Sequence, residues 1–461
     1  MELKGKRVLV VGLGKSGFAA AMFLRRHGAQ VTVSDVRSAE ALGQDLPLLL
    51  EEGIAVEAGG HGLLTFRRQD LIVVSPGVPP ETPELRQVRN FGQTVLGEVE
   101  LAARFLRGRT LGITGSNGKT TTTSLAGSML AAGGFPVQVG GNIGTPVIAL
   151  VDDTTDQTWS VLELSSFQLE STTSFRPDIA VILNVTPDHL DRHKTFENYL
   201  SAKEQIFAHQ RPSDFLVLNA DDDVASRCAA RAPSEVYWFS RSRIIRQGTF
   251  VHQGIVAFRA SEQSAPEPIL PIASIPLKGE HNLENVLAAV CAARLAGVPA
   301  EAIREAVESF RAVEHRLEFV VQTDGVDYYN DSKATNVDAA AKAIAAFPAA
   351  VHLILGGKDK DSDYRTLRPL IAERVKALYT IGSAAEKIES HLRGIERPDG
   401  STVPVVHAAT LKRAVELAGD AARPGDVVLL APACSSYDQF ANYEERGRTF
   451  KEMVLGVWQN A

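Results

Sequence analysis

Residues 7–28 read RVLVVGLGKSGFAAAMFLRRHG. A β-branched run from Arg7 enters a G-x-G-x-x-G turn at Gly12, Gly14 and Gly17, and apolar residues at helical spacing follow from Ser16 to His27. The next run, QVTVSD, closes on Asp35. Strand, glycine turn, helix and strand in that order specify a βαβ unit, whose two strands must lie parallel in one sheet. The pattern continues with a helix through LPLLLEEG and a strand through DLIVVSPG. After the breaker Pro76-Gly77-Val78-Pro79-Pro80, one more helix is expected to run to about Arg107, with a unit boundary near Gly97. The glycine turn leaves a helix N-terminus open to a pyrophosphate, and Asp35 stands where a carboxylate can accept from a ribose hydroxyl or a base N–H. Nothing in the turn itself requires nicotinamide.

The chain has 461 residues, about three times a ~150-residue domain, so two or three domains with separate cores are expected. Hydrophobic residues at 44% and charged residues at 22% describe neither a disordered chain nor a membrane protein. A net charge of -7, without a basic run longer than pairs such as Arg25-Arg26 and Arg67-Arg68, argues against nucleic acid as a partner. Three widely spaced cysteines, Cys228, Cys291 and Cys434, give no disulfide framework and fit a reducing compartment. Cys434 reads as a buried strand-end thiol rather than a nucleophile, since no base accompanies it. The start MELKGKRVLVVG lacks a signal-peptide apolar region, and a cytoplasmic monomer is expected.

A second glycine loop lies in LGITGSNGKTTTTSLAGSMLAAGG. Here Gly115, Gly118, Lys119 and Thr120 fall between a buried strand and a helix. That is a phosphate cradle: backbone N–H groups and the helix dipole face an anion, a lysine reaches a terminal phosphate, and a threonine hydroxyl can ligate Mg²⁺. Ile113 occupies the first glycine position of the strict G-x-x-x-x-G-K-[ST] pattern, so the match is partial. The bland alternative is a surface turn before a threonine-capped helix. The strands WSVLELSS, IAVILN and FLVLNADD continue this second unit, and Glu163 at the end of the first of them is a candidate Mg²⁺ ligand. Short strands with Gly and Pro punctuation occupy 235–276, and two helices follow, separated by Gly297 and Pro299. His189, Asp191 and His193 alternate in a polar stretch that reads equally as metal spacing or as an ordinary loop. A third unit carries the strands AVHLILGG, ALYTIG, TVPVVH and DVVLLAPAC.

The ordered phrases GSNGKTT, GNIG, ELSSFQLE, NVTPDHLDRH, EHRLE and DSKATN together resemble the ATP-dependent Mur ligases of bacterial peptidoglycan synthesis. The resemblance spans nearly the whole chain. VLVVGLGKSG and SPGVP near the start, with LLAPACSSYDQFANYEERGRTF near the end, resemble the branch that adds D-glutamate to UDP-N-acetylmuramoyl-L-alanine. It implies an α/β protein of three consecutive domains: a Rossmann-like UDP-substrate domain over 1–97, a P-loop-type ATP-binding domain with a mostly parallel sheet over 98–312, and a Rossmann-like amino-acid domain over 313–461. It also implies that ATP phosphorylates the alanyl carboxylate and that the amine of D-glutamate displaces the phosphate.

By the same resemblance, Gly115, Ser116, Asn117, Gly118, Lys119, Thr120 and Thr121 hold the ATP phosphates, Asn285 touches adenine and Asp331 its ribose. Thr120, Glu163, His189 and Lys203 serve magnesium, Lys203 as a carbamate. Arg316 and Lys333 meet developing negative charge beside Lys119. Gly14, Lys15, Ser16, Asp35, Arg37, Gly77 and Asn142 cradle the UDP-sugar. Thr335, Ser436, Tyr437 and Tyr443 surround D-glutamate with Lys360 or its neighbour Lys358. The third unit is expected to swing over the second on hinges near 97 and 312, excluding water from an acyl phosphate. A nicotinamide oxidoreductase accounts for the first loop only, and a nucleotide-binding switch protein leaves the first and third units without purpose.

Overall fold

A computed structural model describes residues 1–311 and 313–456. The expected boundary at residue 312 and the segment 457–461 lie outside the described residues. The chain forms two compact units, Met1–Ser274 with Glu284–Ser309, and Ile275–Leu283 with the chain from Phe310 onward. The first unit holds two sheets.

Its N-terminal sheet comprises β1 (Arg7–Val11), β2 (Gln30–Asp35), β3 (Ala55–Ala58), β4 (Leu71–Val74) and β5 (Val95–Gly97), all parallel in the order β3-β2-β1-β4-β5. The helix expected to run from the proline cluster to Arg107 is instead a helix Pro83–Asn90, strand β5 and a helix Glu98–Ala103. Asn90, Gly92 and Gln93 stop the first helix, and the three-residue edge strand VLG is too short to leave a periodic signal. Strand β3 also escaped the sequence reading, because its residues stay partly exposed.

The second sheet comprises β6 (Arg109–Thr114), β7 (Val137–Gly141), β8 (Trp159–Glu163), β9 (Ile179–Ile182), β10 (Phe215–Asn219), β11 (Glu235–Ser240), β12 (Gly248–His252), β13 (Ile255–Arg259) and β14 (Glu267–Pro271). Its order is β14-β13-β12-β11-β10-β9-β6-β8-β7. The pairs β12–β13 and β13–β14 are antiparallel and the rest parallel. The parallel strands IAVI and WSVLE are buried throughout, as strands covered on both faces must be.

Separate cores were expected for each domain, but one buried cluster is common to both sheets of the first unit, while Leu9, Val11, Phe66, Ile72, Val74, Leu85 and Val88 form a further cluster on the N-terminal sheet. Phe23 and Leu24 of the helix Lys15–Arg26 belong to the same buried cluster as Val147, Ile148, Leu162 and Ile182. Phe105 completes the join with an edge-on contact to Phe23, ring centroids 5.4 Å apart. At Gly97 the chain is packed so closely that a Cβ would fall 2.0 Å from Ser171 Oγ.

The second unit is built on β15 (Glu318–Thr323), β16 (Val326–Asn330), β17 (Val351–Gly356), β18 (Val375–Ile381), β19 (Val405–Ala409) and β20 (Val427–Leu430), in the order β15-β16-β20-β17-β18-β19. Only the β15–β16 hairpin is antiparallel. Its own apolar clusters lie on the two faces of this sheet. Among the described residues no helix is long and apolar enough to cross a membrane.

Candidate functional site

Each glycine loop leaves the carboxyl end of a strand where the strand order reverses direction, the place where open α/β sheets take ligands. The first follows β1, whose neighbours are β2 and β4. The second follows β6, whose neighbours are β9 and β8.

In the first loop, Gly12 and Gly17 are fixed by packing. A Cβ on Gly17 would lie 1.9 Å from the Gly12 carbonyl oxygen, and one on Gly12 would lie 2.6 Å from Val78 Cγ2. Gly14, exposed at the N-cap of the helix Lys15–Arg26, has nothing within 4 Å of that position. Lys15 and Ser16 open the helix beside it. Asp35 is buried and already engaged: it accepts from the Leu13 N–H at 2.6 Å and from the Arg37 side chain at 3.0 Å. These hydrogen bonds outweigh the cost of burial and hold its carboxyl down at about 2. Arg37 also donates to the Leu13 carbonyl. The pair therefore shapes the loop wall, with the Arg37 side chain 46% exposed toward the crevice. On the far wall, Ser75 donates to the Gly12 carbonyl at 2.6 Å.

The second loop gathers more charge. Lys119, opening the helix Lys119–Ala132, donates to the carbonyls of Gly115 and Ser116, each at 2.9 Å. Lys203, on the helix Phe196–Glu204, donates to the same Gly115 carbonyl at 2.7 Å and is only 1% exposed. Burial and the neighbouring Lys119 charge hold the Lys203 amine well below the usual lysine range, while Asp188 and Glu163 pull the other way. Thr120 donates to Glu163 Oε2 at 2.6 Å, and Asn142 donates to Glu163 Oε1 at 2.9 Å. The Glu163 carboxylate is thus buried at the end of β8 and aimed at the loop. Gly118 adopts a φ of 87°, and a Cβ there would meet Asn285 Oδ1 at 2.1 Å, so Asn285 lies directly against the loop.

Several supports of this loop were not singled out from sequence. Asn184 clamps Asn117 through both its amide groups. Ser116 Oγ contacts Tyr199 Oη at 2.9 Å, and the Tyr199 ring lies 4.5 Å from Lys203 Nζ. Asn184 lies two residues past the buried strand β9 and could have been found by that position. Tyr199, four residues before Lys203 on one helix face, could not have been assigned without the fold.

The alternating His189, Asp191 and His193 do not converge. His193 turns inward to Ser166 Oγ at 3.0 Å, Asp191 stays exposed, and His189 sits in left-handed backbone against Phe167. Among the described residues, the acidic and imidazole ligand atoms lying within 4.8 Å of one another belong to Glu314, His315 and Glu318. Lys451 already bridges both of those carboxylates.

In the second unit, Lys333 Nζ lies 3.7 Å from the centre of the Tyr443 ring, and Ser332 Oγ donates to the Tyr443 carbonyl. Burial raises the Asp331 carboxyl to about 6, opposed by Arg316 and the Leu317 N–H. Ser436 is buried while Tyr437 is exposed. Lys358 and Lys360 are both exposed, and the intervening Asp359 is held by Lys387. Arg446, buried and unassigned from sequence, donates to Ser332 and to the Cys434 carbonyl, tying the strand ends under Thr335 and Ser436 together. Cys434 is a buried thiol 2.9 Å from the Tyr364 hydroxyl, pushed up to about 11 by burial.

This geometry has a counterpart in known proteins. The model of the Mur ligase middle domain matches residues 113–293, that of the Mur ligase MurD-like N-terminal domain residues 6–97, and that of the Mur ligase glutamate ligase domain residues 315–434. The chain belongs to the Mur ligase family. Relatives include the UDP-N-acetylmuramoylalanine--D-glutamate ligases of Acidobacterium capsulatum, 72% identical over 100% of both chains, and of Koribacter versatilis, 58% identical over 98% of each. Among solved Mur ligases, the UDP-N-acetylmuramate-alanine ligase MurC of Thermotoga maritima shares the fold with a TM-score of 0.61 at 18% identity, over 98% of this chain and 100% of that one. The MurF ligase of the same organism, in complex with ADP, gives 0.59 at 17%, over 99% and 96%.

Proposed function

We propose that this Mur ligase adds D-glutamate to UDP-N-acetylmuramoyl-L-alanine in cytoplasmic peptidoglycan precursor synthesis, using ATP and an acyl-phosphate intermediate. The observation that carries the reading is the convergence of Lys119, Lys203, Thr120 and Glu163 on one glycine loop. The names of the full-length relatives, 72% and 58% identical, support the choice of substrates.

The reaction needs a carboxylate made attackable. ATP transfers its γ-phosphoryl group to the alanyl carboxylate, releasing ADP. The D-glutamate amine then attacks the acyl carbon, phosphate leaves with the bonding pair, and the amine loses a proton. Catalysis consists of alignment and charge neutralisation. Residues Gly115 to Thr121 hold the phosphates, Lys119 follows the transferred group, Asn285 meets adenine and Asp331 its ribose. Gly14, Lys15, Ser16, Gly77 and Asn142 cradle the UDP-sugar against the wall formed by Asp35 and Arg37. Arg316 and Lys333 balance charge on the acyl phosphate. Thr335, Lys360 or Lys358, Ser436, Tyr437 and Tyr443 orient D-glutamate. The domains divide as 1–97, 98–312 and 313–461, in keeping with one sheet in each.

The residues fit magnesium. Thr120 and Glu163, joined at 2.6 Å, would offer oxygen ligands, with His189 carried over from the family resemblance, and Mg²⁺ bound there would neutralise phosphate charge. An ammonium at Lys203 opposes a cation, whereas burial and the Lys119 charge shift this amine toward its neutral form, the form that adds to carbon dioxide. Formation of the N–C bond and loss of one proton leave a carbamate, an oxygen ligand of opposite charge. The test is phosphate release from ATP, Mg²⁺, UDP-N-acetylmuramoyl-L-alanine and D-glutamate with each component omitted in turn. Release requires all four; release that ignores D-glutamate overturns the reading.

A further inference from the structure

Arg192 links the two crevices of the first unit. Its guanidinium donates to the Val78 carbonyl at 3.0 Å and reaches the carbonyls of Pro76 and Gly77 at 3.4 Å. It also pairs with Glu170, and its Cζ lies 4.9 Å from the centre of the Phe167 ring. The other neighbours of Phe167 are His189, with ring centroids 4.8 Å apart, and His193 at 5.4 Å. A contiguous set of contacts therefore runs from the Pro76–Val78 loop through Arg192 and Phe167 to His189.

The loop end of that set bears on the first glycine turn, since Val78 packs over Gly12 and Ser75 donates to its carbonyl. A cavity of about 140 Å³ lies beside the same segment, lined by Ser75, Pro76, Val78, Phe167 and Glu170 among others. With open space on that side, packing alone does not hold the loop. All three carbonyls accept from the one guanidinium, whose planar fork suits several acceptors at once.

We propose that Arg192 is a positioning residue that locks the loop holding the UDP-linked substrate to the turn bearing His189, so that the substrate carboxylate is presented in register with the phosphate loop. The inference rests on the ligase reading given above. A guanidinium in this position fixes geometry between two half-sites, and an error of about 1 Å between reacting groups costs about 10²-fold in rate. A residue serving stability alone would change the amount of folded protein and leave the constants per folded molecule as they were.

The experiment uses the full chain with Arg192→Lys, which keeps the charge beside Glu170 but lacks the planar fork that reaches three carbonyls. Expected are a KM for the UDP-substrate raised about tenfold and a kcat lowered 10- to 100-fold, with the KM for ATP within twofold. Phe167→Leu is the second variant, expected to lower kcat three- to tenfold while leaving both KM values nearly unchanged. If Arg192→Lys does not fold, the outcome for Phe167→Leu decides. Values within twofold of the unsubstituted protein in both variants, or losses proportional to unfolded protein, overturn the positioning role. An unsubstituted protein that releases phosphate without the UDP-substrate instead overturns the ligase reading, which separates the two failures.

Discussion

The two glycine loops of this protein look alike as sequence and differ as sites. The loop after β1 is a shaped turn with little charge inside it: Gly12 and Gly17 are there for packing, Asp35 is spent on Leu13 and Arg37, and Gly14 is left open. The loop after β6 is charged and crowded, with two lysines on one carbonyl and a buried carboxylate bonded to the first helical turn. One suits a pyrophosphate that is held and does not react. The other suits a phosphoryl group that moves, because two lysines and a buried carboxylate are gathered on it. A strand, a glycine turn and a helix thus specify an anion cradle, and the side chains around it specify whether chemistry follows.

The sharpest way to break this contrast is Lys119→Ala. If Lys119 follows the transferred phosphoryl group as proposed, loss of its charge is expected to lower kcat by about 10³-fold, with far-ultraviolet dichroism unchanged. Activity retained above a tenth would remove the second loop from the reaction.

Lys203→Ala is expected to cost about 10²-fold, and if Lys203 acts as a carbamate a short carboxylate such as acetate should restore part of it by supplying an oxygen ligand in its place. A titration with acetate, formate and chloride distinguishes ligand replacement from an ionic-strength effect. Absence of rescue by every carboxylate tried would count against the carbamate.

In the first loop, Gly14→Ala should leave the melting temperature unchanged and raise the KM for the UDP-substrate about tenfold, since a methyl group there meets only the ligand. Gly17→Ala should do the reverse, lowering the melting temperature by several degrees through its 1.9 Å clash with Gly12. Equal effects of the two substitutions would erase the distinction between packing and ligand approach.

The smallest effect concerns the junction that follows β5. Glu98 is 1% exposed, accepts from the Ile148 N–H at 2.7 Å through one oxygen, and is pushed up to about 7 by burial. Its folded value is raised above the unfolded one, so its contribution to stability is fully present below about pH 4.5 and is lost as pH rises through about 7. Glu98→Gln should therefore raise the melting temperature at pH 8 by about 2–4 °C and flatten its pH dependence over that window. A slope that survives the substitution would assign the dependence to other groups.

Much of the fold was legible because it rests on local signals. The fully buried runs VLVV, TLGIT, WSVLE, IAVI and VVLL mark central parallel strands, and the glycines after the first two mark strand-to-helix turns. The edge strands were lost for the opposite reason. VLG and VQVGG are short and glycine-bearing, and EFVVQT is partly exposed along its length, so none has a clear period; the partner of EFVVQT, VDYYN, lies inside the sheet but is equally short. The shared core of the two sheets in the first unit was also hidden, because Phe23 and Ile148 are far apart in the chain and either could have faced a private core.

For the site, the sequence by itself determined the residue types that phosphate chemistry needs and the two places where glycine turns could present them: Lys119 and Thr120 lie within one turn of Gly118, and Asp35 closes a strand beside Gly12. Backbone spacing decides such local constellations. Only the tertiary structure brought Lys203, 88 residues from Gly115, onto the same carbonyl as Lys119, excluded water from its amine, and set Arg192 between Gly77 and Phe167. Burial and contact between distant segments are properties of packing, and packing alone turned a solvated lysine and an ordinary arginine into parts of a site.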